Sequence, residues 1–193
     1  MMEIQALREK AKKLKESGLN AYEIASEMNI AEETVEWLLS KEEKEKPGKD
    51  VKIGWRSIGV YPSRIRYIAS AMADIIVEEA ENRELDIDTV IGIAINGIPY
   101  ATFIAEELDL ELAIFRPHTE KVGVFSSNYA GLKNKNAVIV DDVIGSGKTM
   151  RKAITATKKE GGNPVLCVTL VNKRAQNDVE GVPLRALIRT RVI

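Results

Sequence analysis

The run Ala137-Val138-Ile139-Val140 ends on two adjacent carboxylates, Asp141 and Asp142, and Gly145-Ser146-Gly147-Lys148-Thr149 follows within a few residues. An uninterrupted apolar run rich in β-branched residues is too hydrophobic for a half-exposed strand. It fits a strand covered on both faces, as in a parallel sheet. The residues from Lys148 to Lys159 read as a helix. Strand, tight turn and helix N-terminus together make an anion site, because free backbone N–H groups and the helix dipole both favour a phosphate there. A simple phosphate cradle has no use for paired carboxylates. A ligand with a phosphate at one end and a hydroxyl-rich sugar at the other does, since ionised carboxylates accept hydrogen bonds from sugar hydroxyls.

Two other readings compete for this stretch. Gly-Ser-Gly-Lys-Thr looks like the end of a nucleotide-binding P-loop, but that motif needs a glycine five residues before Gly147, and Asp142 stands there. An ordinary strand-to-helix turn capped by Ser146 or Thr149 is the plainer alternative. It leaves the two aspartates without a role.

The segment from 51 to 193 alternates strand and helix patterns. Helices are expected at Ile68–Glu79, Pro99–Leu108 and Lys148–Lys159. Strands are expected at Thr89–Ala94, Leu112–Phe115, Ala137–Val140 and Pro164–Val171. This alternation predicts an α/β domain, a parallel sheet with helices on both faces, and ligands bound beyond the carboxyl ends of the strands. The Asp141 loop and the loop Ile95-Asn96-Gly97-Ile98-Pro99 both fall at such ends. Gly97 permits unusual backbone geometry, and Pro99 suits a first helical turn. Trp55 and Tyr61 precede the first helix of this domain and read as packing aromatics, with Ser57, Gly59 and Ser63 nearby.

Residues 41–50, Lys-Glu-Glu-Lys-Glu-Lys-Pro-Gly-Lys-Asp, contain nothing apolar except Pro47 and cannot build a core. They divide the chain into a small helical domain (1–46), a linker (47–50) and the α/β domain (51–193). In the first, Ile4, Leu7, Ala11 and Leu14 recur at helical spacing. Asn20 is placed to cap a second helix, Ala21–Met28, and Asn29 to stop it. A third helix runs from Ala31 to Ser40 with Val35, Leu38 and Leu39 inward. The order resembles a helix-turn-helix whose recognition helix presents Ala31, Glu32, Glu33, Thr34, Glu36 and Trp37 to double-stranded DNA. Charge complicates that reading. Residues 1–46 hold 8 Lys and Arg against 11 Glu, a net of −3, and phosphates need positive charge. The basic residues Arg8, Lys10, Lys12, Lys13 and Lys15 lie on the first helix, so a dimer could use those. A helical module for dimerisation or protein docking is the competing reading.

The 193 residues carry a net charge of −1, which excludes both a generally basic nucleic-acid binder and an acidic disordered chain. No stretch is long and apolar enough for a membrane span, and the first residues lack a secretory pattern, so a cytoplasmic protein is expected. The single cysteine, Cys167, sits in an apolar run and reads as a buried thiol. With one histidine, His118, a zinc site is not expected.

Asp141-Asp142 with Gly145–Thr149 resembles the 5-phosphoribosyl-1-pyrophosphate (PRPP) signature of type I phosphoribosyltransferases. The resemblance implies that the acidic pair binds the ribose 2- and 3-hydroxyls and that Gly145, Ser146, Gly147, Lys148 and Thr149 wrap the 5-phosphate. Gly145 and Lys148 stand where the commonest version has threonines. Asn96 and Gly97 resemble the loop that grips pyrophosphate, and Mg²⁺ would enter with PRPP, held indirectly by Asp141 and Asp142. The orotate enzymes of this family carry a mobile basic loop that neutralises departing pyrophosphate. Arg116 and Lys121 match it as catalytic residues, whereas Pro117 replaces a lysine, Val122 stands for an Asp-His pair and His118 is displaced. Taken whole, the chain resembles the archaeal orotate-phosphoribosyltransferase-like transcriptional regulators, the GfcR group. That implies a homodimeric DNA-binding regulator sensing PRPP or a related sugar phosphate. The alternative is an active phosphoribosyltransferase acting on orotate or another nucleobase.

Overall fold

The computed structural model describes residues 2–40, 51–118 and 121–190. The expected linker and the end of the helical segment before it, at 41–50, lie outside the described residues. The chain forms two compact units, one through Gly54 and one from Trp55.

The first unit holds three helices, α1 (Met2–Glu16), α2 (Ala21–Met28) and α3 (Glu32–Leu39). Asn20 caps α2 reciprocally: Glu23 N–H donates to Asn20 Oδ1 (3.0 Å), and Asn20 N–H donates to Glu23 Oε2 (2.9 Å). Asn29 ends the helix in the left-handed region at φ 52°, and Ile30 N–H donates back to Ala25 O (3.2 Å). The turn thus closes tightly and α3 begins two residues later. Ala11, Ile24, Ala25, Met28, Val35 and Leu38 form the buried core of this unit, with Leu7, Leu14, Ile30, Trp37 and Leu39 packed against it. Ile4 is exposed, in the first turn of α1 and ahead of the stretch that joins the core. A last backbone bond ties residue 53 to this unit: Ile53 N–H donates to Asn29 O (3.3 Å).

In the second unit, a short α4 (Arg56–Gly59) precedes α5 (Pro62–Asn82). Pro62 occupies the first helical position, where its missing N–H costs nothing. The helix therefore starts six residues before Ile68, across Arg64 and Arg66. The remaining elements are β1 (Thr89–Ile93), α6 (Gly97–Glu107), β2 (Glu111–Arg116), β3 (Val124–Phe125), β4 (Asn136–Ile144), α7 (Lys148–Lys159), β5 (Asn163–Asn172), β6 (Asp178–Val179) and β7 (Val182–Arg189). The sheet order is β3-β2-β1-β4-β5-β7-β6. Five central strands are parallel, and the edge strands β3 and β6 are antiparallel to their neighbours.

Every residue of β1 is buried, which explains its lack of alternation. Odd-numbered residues Ile91, Ile93, Ala137 and Ile139 join Met150, Ala153 and Ile154 of α7 in one cluster. Gly92 has the other parity and faces α6, where an added Cβ would lie 2.9 Å from Ala101 Cβ. Burial of such Ile and Phe side chains contributes about 1.5–3 kcal/mol each. The chain leaves β1 toward β2 on one side, while β4 lies on the other. This reversal opens a crevice beyond the carboxyl ends of β1 and β4, the place where open α/β sheets bind ligands.

Candidate functional site

The acidic pair belongs to β4 rather than following it, since the strand continues to Ile144. Asp141 pairs in register with Thr169 of β5, and so the backbone on which both carboxylates are mounted is fixed by the ladder. Asp142 is only 5 % exposed, a rare state for a carboxylate without donors around it. Two side chains supply them at the same oxygen. Trp55 Nε1–H donates to Asp142 Oδ2 at 2.8 Å, and Asn96 Nδ2 donates to it at 3.1 Å. Asp142 N–H in turn donates to Asp141 Oδ1 (2.9 Å).

Burial pushes both carboxyls above the ordinary carboxylate range. For Asp141 the charge of Asp142 adds to burial and the shift is large. For Asp142 the donors Val143 N–H and the Trp55 and Asn96 side chains pull the other way. Tyr100, fully buried on α6, is also pushed up, by burial first and by Asp142 second, and its hydroxyl has no hydrogen-bond partner among the described residues. Its ring meets the Trp55 indole edge-to-face with centroids 5.9 Å apart. The ionised carboxyls are thus held at a cost that hydroxyl donors or cations arriving with a ligand would lower.

On the β1 side, Asn96 and Gly97 open α6. Gly97 is required by packing: a Cβ there would lie 2.5 Å from Val140 O, so only glycine lets this loop press against β4. The preceding Ala94–Ile95 peptide is cis. On the β4 side, Gly147 starts α7 at φ 77° with no side-chain cap, and Ser146 Oγ stays 3.5 Å from Lys148 N. Ser146 and Lys148 are exposed, Gly145 and Thr149 half-buried. Asn96, Gly97 and Gly145–Thr149 therefore flank the crevice that Asp141 and Asp142 floor.

Sequence reasoning misses Trp55 and Arg174 as members of this site. Trp55 reads as a packing aromatic in sequence, and it does pack, on Tyr100 and over Gly59. Nothing in its local pattern announces a bond to a residue 87 positions away. Arg174 follows β5, its Nη1 donates to Ser146 O at 3.3 Å, and its guanidinium abuts Gly147. Its position just past the carboxyl end of a parallel strand is the available signal.

Arg116 ends β2, and Lys121 lies on the connection to β3, two strand positions from β4. Both have side chains open to solvent. Residues 119 and 120 lie outside the described residues. Lys121 N–H donates to His118 Nδ1 (3.2 Å), and Lys152 Nζ donates to His118 O (2.6 Å). The histidine is thus tied to Lys121 and to Lys152 of α7. Val124 and Phe125 pair with Arg116 and Phe115, which keeps the β2–β3 hairpin short. Cys167 is buried on β5, its thiol pushed up to about 12, so it is no nucleophile. In the helical unit, Glu33 and Glu36 of α3 are exposed, while Trp37 is half-buried beneath the Arg8 guanidinium, 5.7 Å from the ring centroid.

A central parallel sheet, a glycine-led helix N-terminus and an acidic pair at the switch point define an α/β domain with a candidate anion site, preceded by a helical unit. The family model described as "Phosphoribosyl transferase domain" matches residues 62–182. Transcriptional regulator GfcR of Thermoplasma acidophilum is 52% identical over 100% of this chain and 98% of its own length. The Picrophilus torridus protein of the same name is 45% identical over 100% of both. Among solved structures, adenine phosphoribosyltransferase from Thermoanaerobacter pseudethanolicus matches with TM-score 0.60 and 17% identity, covering 76% of this chain and 91% of that one. Orotate phosphoribosyltransferase from Aeropyrum pernix matches with TM-score 0.57 and 23% identity, covering 78% and 86%. These two likenesses establish the fold. The chain belongs to the phosphoribosyl transferase domain family and, within it, to the group of transcriptional regulators named GfcR. No helix among the described residues is long and apolar enough to cross a membrane.

Proposed function

We propose that this chain is a DNA-binding transcriptional regulator whose phosphoribosyltransferase-like domain binds PRPP or a related sugar phosphate. The observation that carries the reading is the Asp141–Asp142 pair, half-buried and buried in turn, set between the Asn96-Gly97 loop and the Gly145–Thr149 turn. The carboxylates accept from the ribose hydroxyls. The α7 N-terminus, with the Ser146 and Thr149 hydroxyls and the cations Lys148 and Arg174, takes the 5-phosphate. Asn96 and Gly97 meet the pyrophosphate. Two carboxylates are too few for a metal site of their own, and no group of three or more candidate ligands occurs among the described residues. Mg²⁺ therefore fits as an ion carried on ligand phosphates, with Asp141 and Asp142 contacting it indirectly.

The N-terminal unit supplies the DNA contact. Its tight α2–α3 turn suits a helix-turn-helix, with Ala31, Glu32, Glu33, Thr34, Glu36 and Trp37 on the groove-facing helix. The acidic face of α3 leaves phosphate neutralisation to the exposed Lys10, Lys12, Lys13 and Lys15 of α1, doubled in a homodimer reading two half-sites.

Calorimetry with PRPP and Mg²⁺ tests the site. Wild type binds, and Asp141→Asn with Asp142→Asn does not; equal affinity in the two would remove the assignment. The second reading, an active phosphoribosyltransferase, is favoured by the retained Arg116 and Lys121. Pyrophosphate release with orotate and a panel of other bases decides it. Release that Lys121→Ala abolishes would establish the enzyme, and none is expected.

A further inference from the structure

Two hydrogen bonds lie two residues apart in sequence and belong to different units. Ile53 N–H donates to Asn29 O, the left-handed residue that closes the turn before α3. Trp55 Nε1–H donates to Asp142 Oδ2 in the sugar site. Only Gly54 separates them. The indole has a fitted seat: Tyr100 meets it edge-to-face, and Gly59 makes room, since a Cβ there would lie 2.6 Å from Trp55 Cζ3.

Asp142 Oδ2 already receives two donors, Trp55 and Asn96, which fills the two lone-pair directions of a carboxylate oxygen. A sugar hydroxyl that bonds to this oxygen must displace one of them. Asn96 stands next to Gly97, whose backbone is pressed onto Val140 and cannot retreat without opening the β1–β4 crevice. Both donors are half-buried, but Trp55 sits at the start of its unit rather than inside a β–α connection, so the indole is the donor that shifts.

We infer that Trp55 is the positioning residue through which sugar-site occupancy reaches the helix-turn-helix: a ligand hydroxyl takes its place on Asp142, and the strap Ile53-Gly54-Trp55 relays the change to Asn29. The inference rests on the sugar-phosphate reading of the Asp141–Asp142 site. It supplies the differential contact that any ligand effect on a distant unit requires.

The test uses the full chain with PRPP and Mg²⁺ as probe. Trp37 and Trp55 are the only tryptophans, so a ¹⁵N spectrum carries two indole signals. The Trp55 signal moves on adding PRPP, and Asp142→Asn moves it without ligand. Trp55→Phe keeps a ring on Tyr100 but loses the N–H. It binds PRPP about fivefold tighter or better, because a competing donor to a charged acceptor is gone. In wild type, PRPP changes hydrogen exchange of amides in residues 20–40 by about threefold or more. In Trp55→Phe that change disappears. Gly59→Ala, which unseats the indole and leaves residue 55 intact, repeats both effects should the first variant fold poorly.

Weaker PRPP binding in both variants would make Trp55 part of the ligand's own contacts and overturn the proposal. So would an unmoved indole signal in wild type at saturating PRPP, or exchange changes that persist in both variants. No PRPP binding by wild type at all is a different failure, because it removes the sugar-phosphate reading itself.

Discussion

The end of β4 and the β2–β3 hairpin lie on the same sheet and are built to different standards. At the β4 end, Asp142 is buried with two side-chain donors on one oxygen, Gly97 is fitted closely against Val140, and Gly147 aims a helix N-terminus into the crevice. At the hairpin, Arg116 and Lys121 are exposed, and Lys121 N–H donates to His118. Burying a carboxylate such as Asp142 costs stability, and groups perturbed in this way cluster at functional sites. The hairpin holds no comparable arrangement among its described residues. The proposed sensing function draws on the first region, and the transferase alternative on the second.

The largest effect expected is at the acidic pair. Asp141→Asn with Asp142→Asn should weaken PRPP binding by about 100-fold or more, since each charge-assisted hydrogen bond contributes about 1.5–3 kcal/mol. Calorimetry reads this. The same change should raise the thermal midpoint of the ligand-free protein at neutral pH. Burial lifts both folded-state carboxyls above their ordinary 3.8. The unfolded chain then ionises first as pH rises, so the pair contributes its stability at low pH and loses it as pH climbs past about 4 and through the folded-state values. The thermal midpoint of wild type should therefore fall relative to that of the double variant as pH rises from about 4. Parallel pH profiles would contradict the burial argument.

Gly97→Ala comes next. Its Cβ meets Val140 O, and overpacking of this kind costs about 1–3 kcal/mol. A drop of several degrees in thermal midpoint is expected, together with weaker PRPP binding as the β1 loop lifts from β4. Unchanged stability would mean that the loop can move aside freely.

In the helical unit, Lys12→Ala with Lys13→Ala should lower the slope of log affinity against log salt by up to about 0.9 per lysine, measured on nonspecific duplex DNA. An unchanged slope would move the phosphate contacts off α1. The smallest effect is at the hairpin. Lys121→Ala should leave PRPP affinity within about threefold of wild type, because an exposed charge beyond the pair contributes little. A tenfold loss would bring the hairpin into the binding site and narrow its contrast with the β4 end.

Much of the binding side is legible from sequence because its signals are local. The apolar run into Asp141-Asp142, the glycine before Lys148 and the Asn20 and Asn29 caps each depend on neighbours within a few residues. α7 is read to the residue for that reason. β7 is not, because Pro183 and Arg185 interrupt its pattern, and its place beside β5 is set by tertiary pairing. The start of α5 is hidden by Arg64 and Arg66, which are exposed on its first turns. At the site, Trp55 and Arg174 are brought in by the fold from distant positions. Gly97 is visible as a loop glycine, but its reason, the Val140 carbonyl, belongs to another strand.

The most direct measurement passes the purified full chain over sheared genomic DNA of its source organism at moderate salt, with and without PRPP and Mg²⁺, and sequences what is retained. A PRPP-sensing regulator retains discrete fragments whose enrichment changes with PRPP. Absence of enrichment in both conditions would contradict that function, leave the acidic α3 face as a protein-docking surface, and put the transferase reading first.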